Sequence, residues 1–289
     1  MTIGLRLPSP VEELHDDGLA SAGVRLALKR DDLIHPGLPG NKWRKLEHNL
    51  RAAADQGRDT LLTFGGAYSN HLRATAAAGA LFGFSTIGIV RGEEHLPLNE
   101  VLRFATAQGM RLAYMDRTTY RRKTDPDVVA ALREEWGDFY LLPEGGSNDL
   151  AVRGCAELGA EIGPSYDVVC CAVGTGGTLA GLAAGLAPRQ RALGFAVLKG
   201  GGFLNADVER LQRETYGGRR GDWSIETAFH HGGYARRTPE LDAFIADFAD
   251  RHGIVLDRIY VAKMLHGVHT LAAQGAFPPG TRLLAVVTG

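Results

Sequence analysis

Cysteine is scarce in this chain of 289 residues, which contains three: Cys155, Cys170 and Cys171. None of them forms a Cys-x-x-Cys pair, and two lie in the apolar run 168–173, where a thiol behaves as a small buried hydrophobic group. The sequence therefore predicts no disulfide framework and fits a reducing compartment.

A surplus of charge is also missing. The chain has 32 lysines and arginines against 33 acidic residues, and its formal net charge is −1. It thus lacks the basic surface that nucleic acid or an anionic membrane requires, and we expect neither as a partner. No apolar stretch approaches the ~18 residues of a membrane span, and the first residues lack the basic start and apolar stretch of a signal peptide. We expect a cytoplasmic protein.

What the chain does contain is an alternation of apolar strand patterns and helical patterns over almost its whole length. The predicted strands are 60–64, 85–90, 111–115, 138–142, 167–173, 192–198 and 283–288. The predicted helices are 42–56, 70–82, 99–108, 149–162, 177–187, 241–251 and 260–274. Several strands are apolar throughout, as strands covered on both faces are. This order predicts a parallel, doubly wound α/β fold with ligands beyond the carboxyl ends of the strands.

One segment, 167–181, combines a strand, a glycine loop and the start of a helix. The loop consists of Gly174, Thr175, Gly176, Gly177 and Thr178. Its glycines allow a tight turn close to an anion, its threonines add hydroxyl donors, and the N–H groups of the helix face the ligand. A dinucleotide fingerprint needs a glycine where Leu179 stands, and no Gly-Lys-Ser/Thr motif for a triphosphate occurs. A small monophosphate cofactor remains, and the alternative is a tight turn without a ligand.

A loop rich in proline and glycine leads to Asn41, which is a residue type suited to a helix N-cap, and to Lys42. Leu46 and Leu50 form the buried stripe of the helix that follows. A positive charge is unfavourable at a helix start, which biases Lys42 towards the neutral, nucleophilic amine that Schiff-base chemistry requires. Taken alone, this segment favours an ordinary surface lysine, and charge arguments do not choose between Lys42 and Lys45.

Ser69 and Asn70 begin an alanine-rich helix that follows a predicted strand, and helix capping is their default role. Ser69 lacks the flanking glycines of a serine-hydrolase elbow. His71 is as readily a core or capping histidine as a catalytic one. Elsewhere, the pairs His230-His231 and His266-x-x-His269 lack the carboxylate or cysteine that would complete a metal site, so we expect no metal.

Seven motifs occur along the chain in a fixed order. They are Arg30-Asp31-Asp32, Gly40-Asn41-Lys42-x-Arg44-Lys45-Leu46, Ser69-Asn70-His71, Pro143-x-Gly145-Gly146-Ser147-Asn148, the loop 174–178, Tyr260-x-x-Lys263 and Thr288-Gly289. Together they resemble the family of D-cysteine desulfhydrase and 1-aminocyclopropane-1-carboxylate (ACC) deaminase. These enzymes use pyridoxal 5′-phosphate (PLP) and are built like the tryptophan synthase β subunit, PLP fold type II. The resemblance runs from about Leu26 to the C-terminus.

The resemblance implies a role for each matching residue near the cofactor. Lys42 matches the lysine that carries PLP as a Schiff base, and the loop 174–178 matches the phosphate cradle. Asn70 matches the residue that hydrogen-bonds the 3′ oxygen of the pyridine ring. Thr288 is placed like the hydroxyl residue beside the pyridine nitrogen, where it would leave that nitrogen largely unprotonated.

On the substrate side, Ser69 matches a serine that contacts the substrate carboxylate or takes part in the leaving chemistry. Asn70 and His71 complete the expected substrate-binding group. Tyr260 matches an active-site tyrosine that faces the substrate, and Tyr234, in Gly-Gly-Tyr, resembles a second one. Either tyrosine could tune a nucleophile or donate a proton.

The expected reaction is β-elimination from a small amino acid, with D-cysteine giving pyruvate, ammonia and sulfide. ACC deamination to 2-oxobutyrate and ammonia is the alternative, followed by a PLP dehydratase, racemase or β-replacement enzyme of the same fold. A PLP-binding protein without activity is a further reading, against which Lys42, Ser69 and Tyr260 argue.

Three positions depart from the family pattern. Val261 stands where ACC deaminases carry Glu and desulfhydrases Thr. Trp43 replaces a small hydroxyl residue and either narrows the substrate pocket or packs outside it. Arg258 replaces a proline.

The resemblance further implies two α/β domains with the cofactor between them. The larger, PLP-binding domain comprises residues 1–45 and 154–289, and the smaller comprises residues 46–153. A homodimer is expected on the same basis.

Overall fold

The structure is a computed structural model that describes residues 4–38 and 40–288. Gly289 of the Thr288-Gly289 motif, Pro39 in the loop before Asn41, and residues 1–3 lie outside the described residues. Within the described ranges the strands are β1 (Val11–Leu14), β2 (Arg25–Arg30), β3 (Thr60–Gly65), β4 (Ser85–Arg91), β5 (Arg111–Met115), β6 (Tyr140–Leu142), β7 (Val168–Val173), β8 (Arg191–Ala196), β9 (Asp222–Glu226) and β10 (Arg282–Val287). The helices are α1 (Asp17–Ser21), α2 (Asn41–Asp55), α3 (Asn70–Phe82), α4 (Glu100–Ala107), α5 (Arg117–Arg121), α6 (Pro126–Trp136), α7 (Asp149–Ile162), α8 (Gly177–Gly185), α9 (Leu204–Tyr216), α10 (Pro239–His252) and α11 (Val261–Ala273).

Two open sheets organise these elements. The first has six strands in the order β1-β2-β10-β7-β8-β9 and takes them from both ends of the chain. The second has four strands in the order β5-β4-β3-β6, all parallel and all from the segment between. The predicted α/β class with two open sheets is confirmed. The first sheet is not wholly parallel, because its edge strand β1 pairs antiparallel with β2.

The central strands are covered on both faces, as their continuous apolar sequences predict. In β7, Cys170 packs in one core together with residues of α10 and α11, whereas Val169 and Cys171 pack in another with residues of α7, α8 and α9. In β3, Leu61 and Leu62 likewise belong to different cores. All three cysteines are buried and free.

Strand β2 was not among the predicted strands, because charged residues interrupt its apolar pattern. Its Lys29 is nonetheless 1% exposed. Burial is tolerated because the Lys29 ammonium donates to Glu161 at 2.9 Å and to the Ser9 carbonyl at 2.7 Å. Glu161 lies on α7, far away in the sequence, so no local pattern reveals the pairing. The other elements missing from the prediction are β1, β9, α1, α5, α6 and α9.

The same carboxylate fastens α2, the helix that carries Lys42. Arg44 on α2 donates from Nε and Nη2 to Asp31 at 2.7 and 2.9 Å, and from Nη1 and Nη2 to Glu161, both at 2.9 Å. Ser9 Oγ also donates to Asp31 at 2.6 Å. The buried carboxylates and cations therefore satisfy one another, and they fix α2 against the first sheet and α7.

The predicted domain limits, residues 46 and 153, fall inside α2 and α7, which pack against each other. The division of the chain into two domains stays a prediction. Among the residues that the structure describes, none of the helices combines the length and hydrophobicity that crossing a membrane requires.

Candidate active site

A cavity opens where the carboxyl end of β7 faces the first turns of α2 and α3. It encloses about 610 Å³ that protein atoms do not fill, part of it open to solvent. The residues that line it are Asn41, Lys42, Lys45, Ser69, Asn70, His71, Gly145, Ala172, Val173, Gly174, Thr175, Gly176, Thr178, Leu179, Tyr260 and Thr288. Ligands are expected at this end of an open α/β sheet.

Most of the predicted site residues meet in this cavity, although they come from five distant segments. Two of them do not line it. Gly177 begins α8 and packs against Ser147, and Tyr234 contacts Tyr260 from outside. The sequence offered Lys45 only as an alternative to Lys42 and gave Gly145 no site role, although both belong to the recognised motifs.

Lys42 lies in the first turn of α2, partly buried, and its position depends on Gly40. Gly40 has a φ of 64°, and a Cβ there would lie 1.5 Å from the Thr288 carbonyl oxygen, so only glycine fits between Lys42 and Thr288. Within the described residues, the Lys42 amine has no hydrogen-bond or ion-pair partner. Burial, and to a smaller extent the neighbouring Lys45 ammonium, lower the pKa of Lys42 to about 7. A large fraction of this amine is therefore neutral near pH 7.

Lys45 follows one turn later and also lines the cavity. Its amine donates to the Gly145 carbonyl at 3.1 Å and to Ser147 Oγ at 3.0 Å. No carboxylate in the described ranges lies within ion-pair distance of it, and burial lowers its pKa. Lys45 is thus a buried cation that lacks an anionic partner.

The turn at Gly145 and the glycine loop 174–178 pack closely against each other beside Lys45. A Cβ on Gly145 would lie 2.9 Å from Thr175, and one on Gly177 would lie 2.5 Å from Ser147 Oγ. The hydroxyls of Ser147 and Thr175 are hydrogen-bonded at 2.7 Å. The result is a pocket of hydroxyls and backbone N–H groups at the start of α8, with the Lys45 ammonium alongside, which is the composition of an anion site.

Asn41 does not cap α2 as predicted. The N-cap position is Gly40, which makes no side-chain cap bond, and the Asn41 amide instead donates to Thr178 Oγ1 at 2.7 Å. This hydrogen bond joins the first turn of α2 to the first turn of α8. The prediction of a cap was wrong because the partner of Asn41 is distant in the sequence.

Ser69 does cap α3, since its Oγ accepts from the Leu72 N–H at 3.4 Å. Asn70 begins the helix and lines the cavity. His71 is buried, and neither of its ring nitrogens has a partner within the described residues. Burial and the nearby Lys42 and Lys45 charges lower the pKa of His71 well below its ordinary value. The neutral imidazole therefore offers one donor and one acceptor to a ligand.

Tyr260 stands immediately before α11, where Asp257 organises the backbone. The Asp257 carboxylate accepts the N–H groups of Ile259, Tyr260 and Val261 at 3.0, 2.8 and 2.7 Å. The Tyr260 hydroxyl donates to that of Tyr234 at 3.3 Å. Burial, and then the second phenol, raise the pKa of Tyr260 well above its ordinary value, so this phenol holds its proton at neutral pH.

Two of the departures from the family pattern lie outside the cavity. Trp43 is 5% exposed and stacks on Phe82, with 5.5 Å between ring centroids. Val261 is 1% exposed and packs in the core of the first sheet. Trp43 therefore packs outside the pocket, and position 261 contributes no polar group to it.

The histidine pairs also lie elsewhere. His231 bonds to Thr238, and His266 lies 3.3 Å from Glu240. In the described part of the chain no three or more His, Cys, Asp or Glu side chains group as metal ligands do.

Comparison with known proteins decides the family. The model of the family described as "Pyridoxal-phosphate dependent enzyme" matches residues 5–289. The chain belongs to this family. The predictions of PLP as cofactor, of an enzyme and of the recognised group are confirmed.

Relatives of this PLP enzyme carry both of the expected names. A putative ACC deaminase of Pyrococcus furiosus is 33% identical over 281 residues, which cover 92% of this chain and 85% of the relative. A bifunctional D-cysteine desulfhydrase and ACC deaminase of Arabidopsis thaliana is 29% identical, over 98% of this chain and 76% of the relative.

Solved structures confirm fold type II. An ACC deaminase homologue superposes with a TM-score of 0.85 at 29% identity, over 99% of this chain and 90% of that one. A cysteine synthase of Entamoeba histolytica, 16% identical, shares the fold with a TM-score of 0.72, over 100% and 87% of the two chains.

The cavity fits PLP on its own chemistry. Its lining includes two lysines and, within the described residues, no carboxylate, so it is suited to an anionic cofactor and substrate. It offers a partly neutral amine at Lys42, the anion site beside Lys45 and the unpartnered ring nitrogens of His71. Phosphate, aldehyde and carboxylate groups each have a complementary partner there.

Proposed function

We propose that the protein is a PLP-dependent lyase that eliminates sulfide from D-cysteine and forms pyruvate and ammonia. The observation that carries the proposal is the Lys42 amine, which has a pKa of about 7 and no partner in the described residues, beside an anion site at Lys45. ACC deamination is the second candidate. It is favoured by the name of the Pyrococcus relative and disfavoured by the burial of Val261 in the core.

In this proposal Lys42 binds the cofactor covalently. The backbone and hydroxyls of the loop 174–178 would hold its phosphate, and Lys45 would supply the balancing positive charge. Asn70 would hold the 3′ oxygen, and Thr288 would offer its hydroxyl to the pyridine nitrogen. The Thr288 hydroxyl is neutral, so it does not force that nitrogen into the protonated form.

When bound, PLP withdraws electrons from the α carbon of the substrate and so acidifies the α proton. The freed Lys42 amine would accept this proton, because its lowered pKa leaves a large fraction of it neutral near pH 7. Ser69, Asn70 and His71 orient the substrate through its carboxylate. The Tyr260 phenol, which retains its proton, donates it to the departing sulfur, and Tyr234 restores it.

The remaining expectations belong to the same proposal. The protein acts on small amino acids as a cytoplasmic homodimer. Residues 1–45 and 154–289 form its larger domain, and residues 46–153 form its smaller one. The support for these points is the family membership.

The decisive experiment offers the PLP-loaded protein D-cysteine, L-cysteine and ACC separately and identifies the 2-oxo acid from each. We expect pyruvate from D-cysteine, little from L-cysteine and no 2-oxobutyrate from ACC. Substantial 2-oxobutyrate would support the second candidate instead. No 2-oxo acid from any of the three would contradict both.

A companion experiment tests the lysine. Borohydride reduction of the loaded protein, followed by peptide mass mapping, should place the label on Lys42, and Lys42→Ala should lose the label and at least about 10³-fold in turnover. Lys45→Ala serves as the matched control, because it lies one turn away on the same helix and should keep the label. A label on Lys45 would overturn the assignment.

A further inference from the structure

Tyr234 lies in a loop in which several residues have an energetically unfavourable backbone conformation. His231 and Ala235 have φ angles of 49° and 55°, a region that residues with side chains adopt rarely. Gly232 and Gly233 between them also have positive φ, of 89° and 123°. Conformations of this kind persist only where surrounding contacts impose them, and they concentrate at functional sites. The loop therefore needs an anchor outside itself.

Lys263 on α11 is such an anchor. Its side chain is fully buried, at 0% exposure, between Ala262 and Met264, which are equally buried. Its ammonium donates to the Gly233 carbonyl oxygen at 2.7 Å, and the Val197 carbonyl oxygen lies 3.4 Å away. No carboxylate of the described residues is within ion-pair distance. Lys263 thus joins α11, the end of β8 and the loop of Tyr234 at one point.

A lysine is an unfavourable choice for packing alone at this position. Burial of an ammonium among apolar side chains is unfavourable and lowers the pKa of Lys263, although Asp257 partly opposes the shift. An aliphatic residue would suit the buried face of α11 better. What only a long amine supplies here is the pair of carbonyl contacts, and the shorter of these is to Gly233.

Tyr260 stands immediately before α11, three residues ahead of Lys263. Its hydroxyl meets that of Tyr234 at 3.3 Å, and the two rings are 6.0 Å apart in an edge-on arrangement. Tyr234 is 38% exposed, so few contacts of its own side chain hold it there. We propose that Lys263 is a positioning residue that holds the loop 230–236 so that the phenols of Tyr234 and Tyr260 stay in contact. This inference rests on the proposed function only for the part that the tyrosine pair plays in the reaction.

Hydrogen exchange of the loaded protein tests the anchoring without any substrate. Lys263→Met should speed amide exchange across residues 230–236 by about tenfold or more and leave the loop 174–178 unchanged. Lys263→Gln, whose amide falls short of Gly233, should do the same and guards against one variant failing to fold. The matched control is Lys29→Met, which removes an equally buried lysine elsewhere and should leave residues 230–236 unchanged. Unaltered exchange in both Lys263 variants would overturn the proposal.

Turnover of the amino acid that the 2-oxo acid experiment identifies as substrate tests whether Lys263 acts through Tyr234. If Lys263 acts through that phenol, Lys263→Met lowers kcat in the parent enzyme but by less than about twofold in a Tyr234→Phe background. An equal loss in both backgrounds would show that Lys263 acts independently of Tyr234. If no amino acid is turned over, the proposed function fails, while the exchange experiment still decides the anchoring.

Discussion

Helix α2 carries its buried cations in two opposite settings. Arg44 is enclosed by two carboxylates and makes four hydrogen bonds of 2.7–2.9 Å to them. Burial lowers its pKa, but the bonds to Asp31 and Glu161 outweigh this and leave the pKa of Arg44 above its ordinary value. Lys42 and Lys45, two residues before it and one after it, have no carboxylate partner in the described residues, and their pKa values are lowered.

The difference separates a cation that holds the fold together from cations that await a ligand. A buried charge without a counter-charge is unfavourable and is retained where a function requires it. The Arg44 cluster is complete without any other molecule. The lysines gain a counter-charge only when an anion binds in the cavity. Loss of Arg44 should therefore lower the stability of the cofactor-free protein, whereas loss of a lysine should lower the affinity for the anion.

The largest effect on stability is expected from Arg44→Met. Asp31, which is 0% exposed, would keep only Ser9 as a side-chain partner, and a broken buried ion pair lowers the free energy of unfolding by about 3–5 kcal/mol. Urea unfolding of the cofactor-free protein measures the change. Arg122→Met is the control, since Arg122 pairs with Asp125 and Asp127 at the surface and should contribute less than about 1 kcal/mol. Equal losses in the two variants would contradict the role of the buried Arg44 ion pairs in holding the fold together.

Lys45→Met should lower the affinity for PLP and not the stability, which is the opposite of what we expect for Arg44→Met. Removal of an unpaired buried cation should leave the free energy of unfolding of the cofactor-free protein unchanged or higher, because its amine satisfies only a carbonyl and a hydroxyl. Affinity for PLP should fall roughly tenfold to a hundredfold, which is the contribution of a hydrogen bond to a charged group. Equilibrium titration with PLP measures this effect. An unchanged dissociation constant would show that Lys45 does not balance the phosphate.

The smallest expected effect is a shift in the pH at which covalent attachment of PLP reaches half its maximal rate. The neutral Lys42 amine is the reactive form, so the rate of covalent PLP attachment should rise with pH and reach half its maximum near pH 7, instead of near the ordinary pKa of 10.5. In Lys45→Met the midpoint should move upward, but only in part, since burial is the larger cause. Absorbance-detected attachment in a series of buffers measures both midpoints. An unchanged midpoint in Lys45→Met would contradict an effect of the Lys45 charge on the pKa of Lys42.

The linked stability has a definite sign. Between pH 7 and 10.5 the unfolded chain holds a proton on Lys42 that the folded chain has lost. The unfolded state therefore binds more protons in this window, and the free energy of unfolding of the cofactor-free protein should rise with pH across it. Lys42→Met should reduce this rise, and the part that remains should come from Lys45 and Lys263, whose pKa values burial also lowers.

Local structure at the site was predictable from the sequence where it depends on neighbours along the chain. The loop 174–178 was predictable because a strand, its glycines and the following helix start lie within a few residues. Ser69 was correctly assigned as a cap for the same reason, since its partner is the Leu72 N–H. Asn41 was assigned wrongly as a cap, because its partner, Thr178, is 137 residues away.

Sequence by itself determined the α/β class, the central strands and the segments that build the site, because hydrophobic periodicity and glycine turns act locally. Only the tertiary structure decided which charges are paired. Lys29 in β2 and Arg44 both pair with Glu161, which is more than a hundred positions away from each. Lys45, which has no carboxylate partner within the described residues, bonds to Ser147, 102 positions away. Electrostatic energies depend on distance and burial in space, so the chemistry of Lys42 follows from the fold around it and from no pattern in its own segment.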